Sequence, residues 1–346
     1  MRKQPERDGK KLNNVIMILF VLILVAVLII VVVLALKRNS GARVAQAEST
    51  ESAEQDTSAG EKWQEGVVSY NGKRYRYNNA IKTYLFMGVD QEGPVEAAKD
   101  GISGGQSDAM FLLVTDQKAE TLSVIGINRN TMTDVDVYDE DGSYVGRYQL
   151  QICLQHGYGD GMRTSCLRAV DAVSRLFYNL PISGYLSMNM GGMPAMNDAV
   201  GGVTLEVMDD LENESKGVSL KKGETVTLNG DEAYVYLRSR DCDEFDSASR
   251  RLERQEQYLI AFLAQAKNSG QNEASITKVY NSISEYMVTS MDFAKLASDA
   301  LEYGFDASRM YTIPGKTVMG EQFEEYYVDE DALYQMILDI FYEPVE

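Results

Sequence analysis

The longest apolar run of the chain lies near its N-terminus. Residues 15–36 read VIMILFVLILVAVLIIVVVLAL, which is 22 apolar residues without a charge. As an α-helix this run covers roughly 33 Å, enough to cross the hydrocarbon core of a bilayer. A helix that is this long and apolar on every side is rare inside a water-soluble domain. The pattern therefore predicts a single transmembrane helix.

The flanking charges predict how this helix is oriented. Five basic residues precede it and two follow it directly. Because positively charged flanks stay in the cytoplasm, we expect a cytoplasmic tail over residues 1–14 and the bulk of the chain outside the cell membrane. AQA at 45–47 resembles a signal-peptide cleavage site, but the apolar run is longer than in signal peptides, which favours an uncleaved anchor. Residues 37–66 are rich in Ser, Ala and Glu and predict a flexible linker.

From residue 67 onward, short apolar runs alternate with helical periodicity. VVSYNGKRYRYN at 67–78 predicts a hairpin around an Asn-Gly turn. Further strands are predicted at 81–90, 108–116 and 121–128, and in GYLSMNM, GGVTLEV and MYTIPG; the runs at 108–116 and 121–128 should pair as a hairpin. Helices are predicted at 162–178, 249–267, 274–288, 291–303 and 329–342, with shorter ones in MPAMNDAV and GDEAYVYL.

Strands interleaved with helices predict an α/β or α+β domain, with a central mixed sheet flanked by helices. We expect this domain to cover residues 67–346, with a C-terminal extension from about residue 270. The connection over residues 130–160 has weak periodicity. A loop of that length predicts a functional or poorly ordered segment.

The strongly negative net charge argues against anionic partners and makes one arginine-rich segment stand out. The chain carries −19, and from residue 39 onward it has 26 basic against 50 acidic residues. Such a surface repels nucleic acid and anionic lipid headgroups. Within this acidic chain, LRSRDCDEFDSASRRLERQ gathers five arginines in seventeen residues, from Arg238 to Arg254.

The spacing of these arginines allows them to converge. If residues 237–240 are extended, Arg238 and Arg240 point to one side. Arg251, Arg254 and Gln255 share a face of the following helix. Converging guanidinium groups match the oxygens of a pyrophosphate and stabilise charge on a leaving phosphate. The alternative is salt bridging with the acids interspersed in the same segment.

Two aspartates and a further arginine follow the predicted strands. Asp90 ends one strand and Asp108 begins the next, so both carboxylates can lie at one edge of the sheet and bind Mg²⁺. Aspartates are also common at strand ends without any such role. Arg129 in INRNT follows a third strand and can donate to phosphate.

The remaining reactive side chains offer no nucleophile. Cys153 and Cys166 either pair outside the membrane or are buried as small apolar residues. His156 is the only histidine, and a structural role is favoured over that of a general base. The chain has no H-E-x-x-H or P-loop motif, which indicates catalysis by positioning and electrostatics.

Taken together, the ordered motifs over residues 83–267 resemble the LytR–CpsA–Psr family of cell-wall enzymes. They follow the apolar N-terminal run and read MGVD, SDAMFLLV, INRNT, GYGDG, NDAVGGVTLEV, LNGDEAYVYLRSR and RRLERQ. The resemblance implies a membrane-anchored Mg²⁺-dependent phosphotransferase, with pyrophosphatase as a side activity. Such an enzyme moves a glycopolymer such as teichoic acid from a polyprenyl-pyrophosphate carrier to peptidoglycan.

By matching position, the resemblance assigns roles to individual residues. Asp90 and Asp108 are implied as metal ligands, and Asp108 also as the group that accepts the proton of the attacking hydroxyl. The implied catalytic and phosphate-binding residues are Arg129, Arg238, Arg240, Arg251, Arg254 and Gln255. The lipid is expected between sheet and helices, lined by the 162–178 helix and the 185–207 strands.

This chain departs from the family pattern at two positions. Gln106 stands where an arginine is usual, and Asn130 where an aspartate is usual. A non-catalytic polyprenyl-phosphate-binding protein, or a regulatory scaffold of wall assembly, is therefore the alternative function.

Overall fold

The computed structural model describes residues 67–345 except 242, 269–272, 294–296, 298–301 and 304–306. The predicted cytoplasmic tail, anchor helix and linker lie outside the described residues, as do most positions of the predicted helix at 291–303. Within the described ranges, no helix is both long and apolar enough to span a bilayer.

The strands are numbered in chain order. They are β1 (Val67–Tyr70), β2 (Lys73–Tyr77), β3 (Ile81–Val89), β4 (Ser107–Asp116), β5 (Thr121–Ile127), β6 (Met132–Tyr138), β7 (Tyr144–Gln151), β8 (Gly184–Asn189), β9 (Val203–Glu206), β10 (Leu211–Asn213), β11 (Val218–Leu220), β12 (Thr225–Leu228), β13 (Met287–Thr289), β14 (Met310–Thr312), β15 (Gly315–Met319), β16 (Glu324–Val328) and β17 (Tyr342–Val345).

The helices are numbered in the same way. They are α1 (Leu154–Gly157), α2 (Arg163–Leu176), α3 (Met193–Ala199), α4 (Gly230–Arg238), α5 (Ser247–Asn268), α6 (Glu273–Ile283) and α7 (Glu330–Phe341). Short 3-10 turns lie at Met190–Gly192, Ser284–Tyr286 and Ala307–Arg309.

A mixed sheet forms the centre of the described domain. Its strands lie in the order β13-β8-β3-β4-β5-β14. β4 pairs antiparallel with both β3 and β5, whereas β8 runs parallel to β3 and β14 parallel to β5. The predicted hairpin between the strands at 108–116 and 121–128 is confirmed, and so is the mixed α/β architecture.

Side chains alternate between the two faces of this sheet and separate two cores. Leu85, Met110, Leu112 and Ile125 face a core that α2 and α7 complete with Val173 and Phe341. Their neighbours Phe86, Phe111, Leu113 and Val124 face the opposite layer, where Leu259 and Leu263 of α5 pack. Because both faces are covered by helices, the central strands read as nearly continuous apolar runs.

The predicted N-terminal hairpin is confirmed. β1 and β2 pair antiparallel through a two-residue turn at Asn71 and Gly72, which have φ of 49° and 73°. Both values are positive, as the type I′ turn requires, and Asn-Gly is the dipeptide best suited to it. β17 adds to the other edge of β2 and ties the C-terminus to this hairpin.

The prediction of a long loop over residues 130–160 is wrong. β6 and β7 form an antiparallel hairpin there, followed by α1. Polar pairs across the two strands obscure the alternation of apolar and polar residues that would predict them: Asp136 accepts from Arg147 and Asp134 accepts from Gln149. Only one face of β6 is buried, through Thr133 and Val135.

Two local predictions near the later helices are also wrong. Residues 237–240 are not extended throughout, because α4 continues to Arg238 and the chain leaves the helical conformation at Ser239. The helix predicted at 274–288 ends at Ile283, and Met287–Thr289 forms β13 instead.

Candidate functional site

Asp90 and Asp108 lie at the same edge of the central sheet. The end of β3 meets the start of β4, where Val89 pairs with Ser107. The main-chain N–H of Asp90 donates to Gln106 O at 3.0 Å, and the N–H of Gln106 donates to Asp90 Oδ1 at 2.7 Å. These reciprocal bonds fix the Asp90 carboxylate beside the start of β4.

A β-bulge sets the direction of the Asp108 side chain. Gly88 pairs with Ala109, whereas the next residue, Val89, pairs with Ser107, so Asp108 is the extra residue of β4. A bulge re-aims a side chain and is common beside active sites. Hydrophobic periodicity gives no sign of a bulge within the apolar run, so the sequence could not predict this feature.

The Asp108 carboxylate joins two arginines from different parts of the chain. Arg129 Nε lies 3.0 Å from Oδ1, and Arg251 Nη1 lies 3.1 Å from Oδ2. Arg251 Nη2 also donates to the main-chain oxygen of Asp108 at 3.2 Å. The side chains of Arg251, Arg129 and Asp108 are 5%, 12% and 15% exposed, so water screens these ion pairs weakly.

The charges of two other arginines act on Arg251. Burial lowers the pKa of Arg251, and the charges of Arg129 and Arg240 lower it further, while Asp108 opposes the shift. Arginine stays protonated even so. The guanidinium groups of Arg129 and Arg240 thus both act on that of Arg251, and a group of arginines of this kind can bind an anion.

Three other arginines of residues 238–254 pair with separate acids. Arg250 pairs with Glu244, Arg254 Nη1 lies 2.6 Å from Asp209 Oδ2, and Arg238 Nη1 lies 2.6 Å from Glu92 Oε1. Salt bridging thus accounts for part of the arginine-rich segment, as the alternative interpretation predicts. Arg251 differs, because it meets Arg129 at Asp108.

An apolar cavity of about 270 Å³ lies between the sheet and the helices, and its wall reaches Ala109, the residue after Asp108. Its wall includes Gly88 and Ala109, the bulge-flanking pair of β3 and β4, and also Arg238 and Gln255. The remaining wall is mostly large and apolar, and includes Phe86, Phe111, Leu186, Met188, Met193, Tyr258, Leu259, Phe262 and Leu263. An elongated apolar group can therefore lie in the cavity while a charged group remains at the arginines.

The predicted lining of this cavity is half wrong. Leu186 and Met188 of β8 line it, as expected for the 185–207 strands. Among the described residues, α2 supplies no part of the wall. It packs on the opposite face of the sheet, where Cys166 and Val173 are fully buried in the other core. The apolar spacing of α2 predicted a buried face correctly but could not indicate which layer it covers.

Comparison with known proteins decides the family. The model of the LytR_cpsA_psr family matches residues 41–339. The chain belongs to the LytR_cpsA_psr family. The resemblance that the ordered motifs predicted is therefore confirmed.

Two curated members of the LytR_cpsA_psr family illustrate the similarity. The polyisoprenyl-teichoic acid–peptidoglycan teichoic acid transferase TagV of Bacillus subtilis (strain 168) is 28% identical over 256 residues, 72% of this chain and 60% of that protein. The chain thus spans less than two thirds of the length of this relative. The transferase TagU of Enterococcus faecalis (strain ATCC 700802 / V583), which bears the same activity name, is 25% identical over 253 residues, 72% of this chain and 75% of that protein.

A solved structure of the family shares the fold. The crystal structure of B. subtilis TagV superposes with a TM-score of 0.58 at 26% identity, covering 75% of this chain and 97% of that one. A structure of Streptococcus agalactiae protein gbs0355 superposes with a TM-score of 0.59 at 21% identity, covering 75% and 86%. The mixed sheet with its flanking helices is therefore the fold of the family.

At the two positions where this chain departs from the family pattern, the structure provides other contacts. Gln106 Oε1 accepts a hydrogen bond from Arg129 Nη2, and Cys153 Sγ lies 3.0 Å from the same nitrogen. The Asn130 side chain turns elsewhere, since its Oδ1 accepts from Gln151 Nε2 at 3.1 Å. Arg129 is thus oriented by Gln106, Cys153 and Asp108, without an acid at position 130.

Arg254 and Gln255 engage the protein itself. Arg254 Nε donates to Tyr236 O at 3.1 Å and Nη2 donates to Ser239 O, while Gln255 Nε2 donates to Leu237 O at 3.1 Å. Both side chains are buried, at 4% and 5% exposure. They fix the end of α4, which carries Arg238 and leads to Arg240. Direct contact of Arg254 with substrate stays a prediction.

Arg238 lies at the cavity wall with partners that the sequence did not indicate. Its Nη1 donates to the hydroxyl of Tyr234, and that hydroxyl donates to Glu92 Oε1 at 2.8 Å. Glu92 follows β3 by three residues, in a connection without periodicity. The Arg238 and Tyr234 hydrogen bonds lower the pKa of Glu92, with the Tyr234 bond the larger cause.

His156 and the two described cysteines are structural. His156 Nδ1 lies 3.0 Å from Gly105 O and Nε2 lies 3.3 Å from Ser187 Oγ. The ring is 1% exposed, and burial lowers the pKa of His156, which favours neutral imidazole. Cys153 and Cys166 are buried and unpaired, which decides against a disulfide between them.

Asp90 and Asp108 are the residues of this site that could hold Mg²⁺. Within the described ranges, no group of three His, Cys, Asp or Glu side chains could hold a metal ion. Asp90 and Asp108 provide two carboxylates at one sheet edge. Mg²⁺ is often bound by one or two carboxylates, with waters and substrate phosphate oxygens as the other ligands.

Proposed function

We propose that this chain transfers a glycopolymer from a polyprenyl-pyrophosphate carrier to peptidoglycan, as a phosphodiester. The observation that carries the proposal is the apolar cavity whose wall includes Ala109, the residue after the arginine-paired Asp108, and Gln255, one helical turn after Arg251. A polyprenyl pyrophosphate has the same two parts, a long apolar chain and a charged headgroup. The names of TagV and TagU support teichoic acid as the polymer class and peptidoglycan as the acceptor.

The arginines would act on the charge that develops during transfer. The acceptor hydroxyl attacks the phosphorus linked to the sugar, and the bond from that phosphorus to the bridging oxygen of the pyrophosphate breaks. The glycopolymer is then joined to the acceptor through a phosphodiester. The polyprenyl phosphate is the leaving group and keeps the bridging oxygen. Arg129, Arg240 and Arg251 are near enough to one another to stabilise the added negative charge in concert.

Asp108 holds two of these arginines in place. Both of its carboxylate oxygens contact a guanidinium group. We therefore assign Asp108 first to positioning Arg129 and Arg251. Its acceptance of the proton from the attacking hydroxyl stays a prediction.

Magnesium would be held by Asp90 and Asp108. When bound, the ion would neutralise part of the pyrophosphate charge, as metal ions do in other phosphoryl transfers. The fixed orientation of Asp90 by the Gln106 N–H supports this assignment, because a preset carboxylate needs little reordering on binding.

Residues 15–36 would anchor the protein in the cell membrane, with the domain outside. The uncharged apolar run and the excess of basic residues before it support this topology. An anchored domain would meet a lipid-linked substrate in the plane of the same membrane.

The test is turnover by the full-length protein in detergent micelles. It is incubated with Mg²⁺, a polyprenyl-pyrophosphate-linked glycan and a peptidoglycan oligomer. The proposal expects polyprenyl phosphate and glycan-modified peptidoglycan in equal amounts. Absence of both products would contradict it.

The alternative is a protein that binds polyprenyl phosphates without turning them over. The replacement of a basic residue by Gln106 favours it, because the site then has one positive charge fewer than the family pattern. Tight binding of the lipid pyrophosphate with no release of polyprenyl phosphate would support this function instead.

A further inference from the structure

The β15–β16 hairpin lies against the segment that carries Arg129. The N–H of Tyr326 in β16 donates to Asn130 O at 2.9 Å. Gln151 Nε2 bridges the same two segments, since it donates to Glu324 O at 2.7 Å and to Asn130 Oδ1 at 3.1 Å. Asn130 is 3% exposed, so these bonds form in a buried contact.

The same hairpin also contacts the start of α5, the helix that carries Arg251. Thr317 of β15 donates to Asp246 Oδ1, and the N–H of Asp246 donates to Glu324 Oε1 at 2.5 Å. Thr317 and Glu324 lie on the same face of the hairpin, because Thr317 pairs with Tyr326, two residues from Glu324. Asp246 has φ of 61°, a conformation that costs energy for a residue with a side chain and therefore needs fixed partners.

Ser249 connects the two contacts into one network. Its hydroxyl donates to Asp246 Oδ1 at 2.5 Å and accepts from Asn128 Nδ2 at 2.9 Å. Asn128 is 2% exposed and precedes Arg129 directly. Hydrogen bonds thus run without interruption from the hairpin through Asp246 and Ser249 to the residue before Arg129.

We propose that the β15–β16 hairpin positions the arginines of the anion site, with Glu324 and Thr317 as the positioning residues. The two guanidinium groups at Asp108 come from segments more than a hundred residues apart in sequence, and the hairpin contacts both segments. Its contacts fix the backbone at Asp246, just before α5, and the backbone of residues 128–130. This inference rests on the proposed function, because it assigns the hairpin to the same anion site.

The test measures binding of a synthetic polyprenyl pyrophosphate to the full-length protein in detergent. Glu324→Ala removes the acceptor for the Asp246 N–H and should raise the Kd roughly tenfold, since a small displacement of a positioned group costs that much or more. Glu324→Gln keeps an acceptor oxygen and should restore binding. Glu325→Ala is the matched control, because Glu325 lies on the other face of the hairpin and accepts from Tyr327 instead.

A second measurement separates positioning from simple loss of stability. In an Arg251→Ala background, Glu324→Ala should raise the Kd by a smaller factor than in the unmodified protein, because the part of its effect that passes through Arg251 is already lost. An equal increase in both backgrounds would overturn the positioning role. Thr317→Val, which removes only the hydroxyl, provides the same comparison where Glu324→Ala fails to fold.

The outcomes also separate this inference from the proposed function. If the unmodified protein binds the lipid and Glu324→Ala binds it equally well, the hairpin role alone is wrong. If the unmodified protein binds no polyprenyl pyrophosphate, the proposed function fails, and the positioning role falls with it.

Discussion

Asp108 Oδ2 lies 3.1 Å from Arg251 Nη1, and the main-chain oxygen of Asp108 accepts from Arg251 Nη2. Asp108, at the β-bulge, thereby binds the guanidinium group of Arg251 on α5 through both its side chain and its backbone. Arg129 contacts the other carboxylate oxygen, so Asp108 holds both arginines of the anion site together.

Removal of the Asp108 charge should destabilise the fold as well as the site. Asp108→Asn leaves two poorly exposed guanidinium groups without their carboxylate, which costs about 3 kcal/mol in the free energy of unfolding. Urea titration measures it. Asp231→Asn is the control, since its pair with Lys216 is more exposed and is worth less than about 1 kcal/mol. Equal small effects in both variants would contradict a buried role for Asp108.

Gln106 should matter more than Asn130 for substrate affinity. Gln106→Ala removes an acceptor from Arg129 and should raise KM for the lipid-linked glycan several-fold, by about 1 kcal/mol. Asn130→Asp restores the acid usual in the family but should not improve activity, because Asn130 contacts Gln151. Steady-state kinetics of the two variants test this. A gain of activity in Asn130→Asp would show that position 130 does reach Arg129.

Filling the cavity should separate lipid binding from phosphate binding. Leu263→Trp places a larger side chain in the cavity wall and should weaken binding of a long polyprenyl phosphate by roughly tenfold. Binding of inorganic pyrophosphate should not change. Leu167→Trp on α2 is the matched control, because Leu167 is exposed on the opposite layer. Equal lipid affinities for the two variants would place the lipid elsewhere.

The free energy of unfolding should fall as pH rises towards neutrality, because of one partly buried acid, Glu256. Burial raises the pKa of Glu256 to about 7, so the folded state retains a proton that the unfolded chain loses near its ordinary value. Folded protein then binds more protons, and stability declines between roughly pH 4.5 and pH 7. Glu256→Gln should remove this decline in urea titrations, whereas the exposed Glu321→Gln should not. An unchanged pH slope in Glu256→Gln would be inconsistent with a raised pKa.

The sequence predicted the central strands of the sheet and the location of both aspartates from local pattern. β3, β4 and β5 are apolar runs with polar turns, so their existence and the edge occupied by Asp90 and Asp108 follow from periodicity and antiparallel pairing. The β6–β7 hairpin was missed because its exposed face carries charges that obscure the alternation.

The contacts of the site depend on tertiary structure that no local pattern encodes. The bulge at Asp108 and the joining of Arg129 to Arg251 arise from strand register and helix packing. Arg254 has the spacing of a ligand-binding residue, yet it donates to carbonyl groups at the end of α4. Spacing predicts which residues share a helix face but not which of them contacts the protein and which contacts a ligand.

The most direct test of the central claim is a crystal structure of the protein with a polyprenyl pyrophosphate and Mg²⁺. The account predicts that the pyrophosphate lies against Arg129, Arg240 and Arg251, and that the polyprenyl chain occupies the cavity beneath Arg238. A headgroup bound away from these arginines, or a lipid chain outside that cavity, would contradict it.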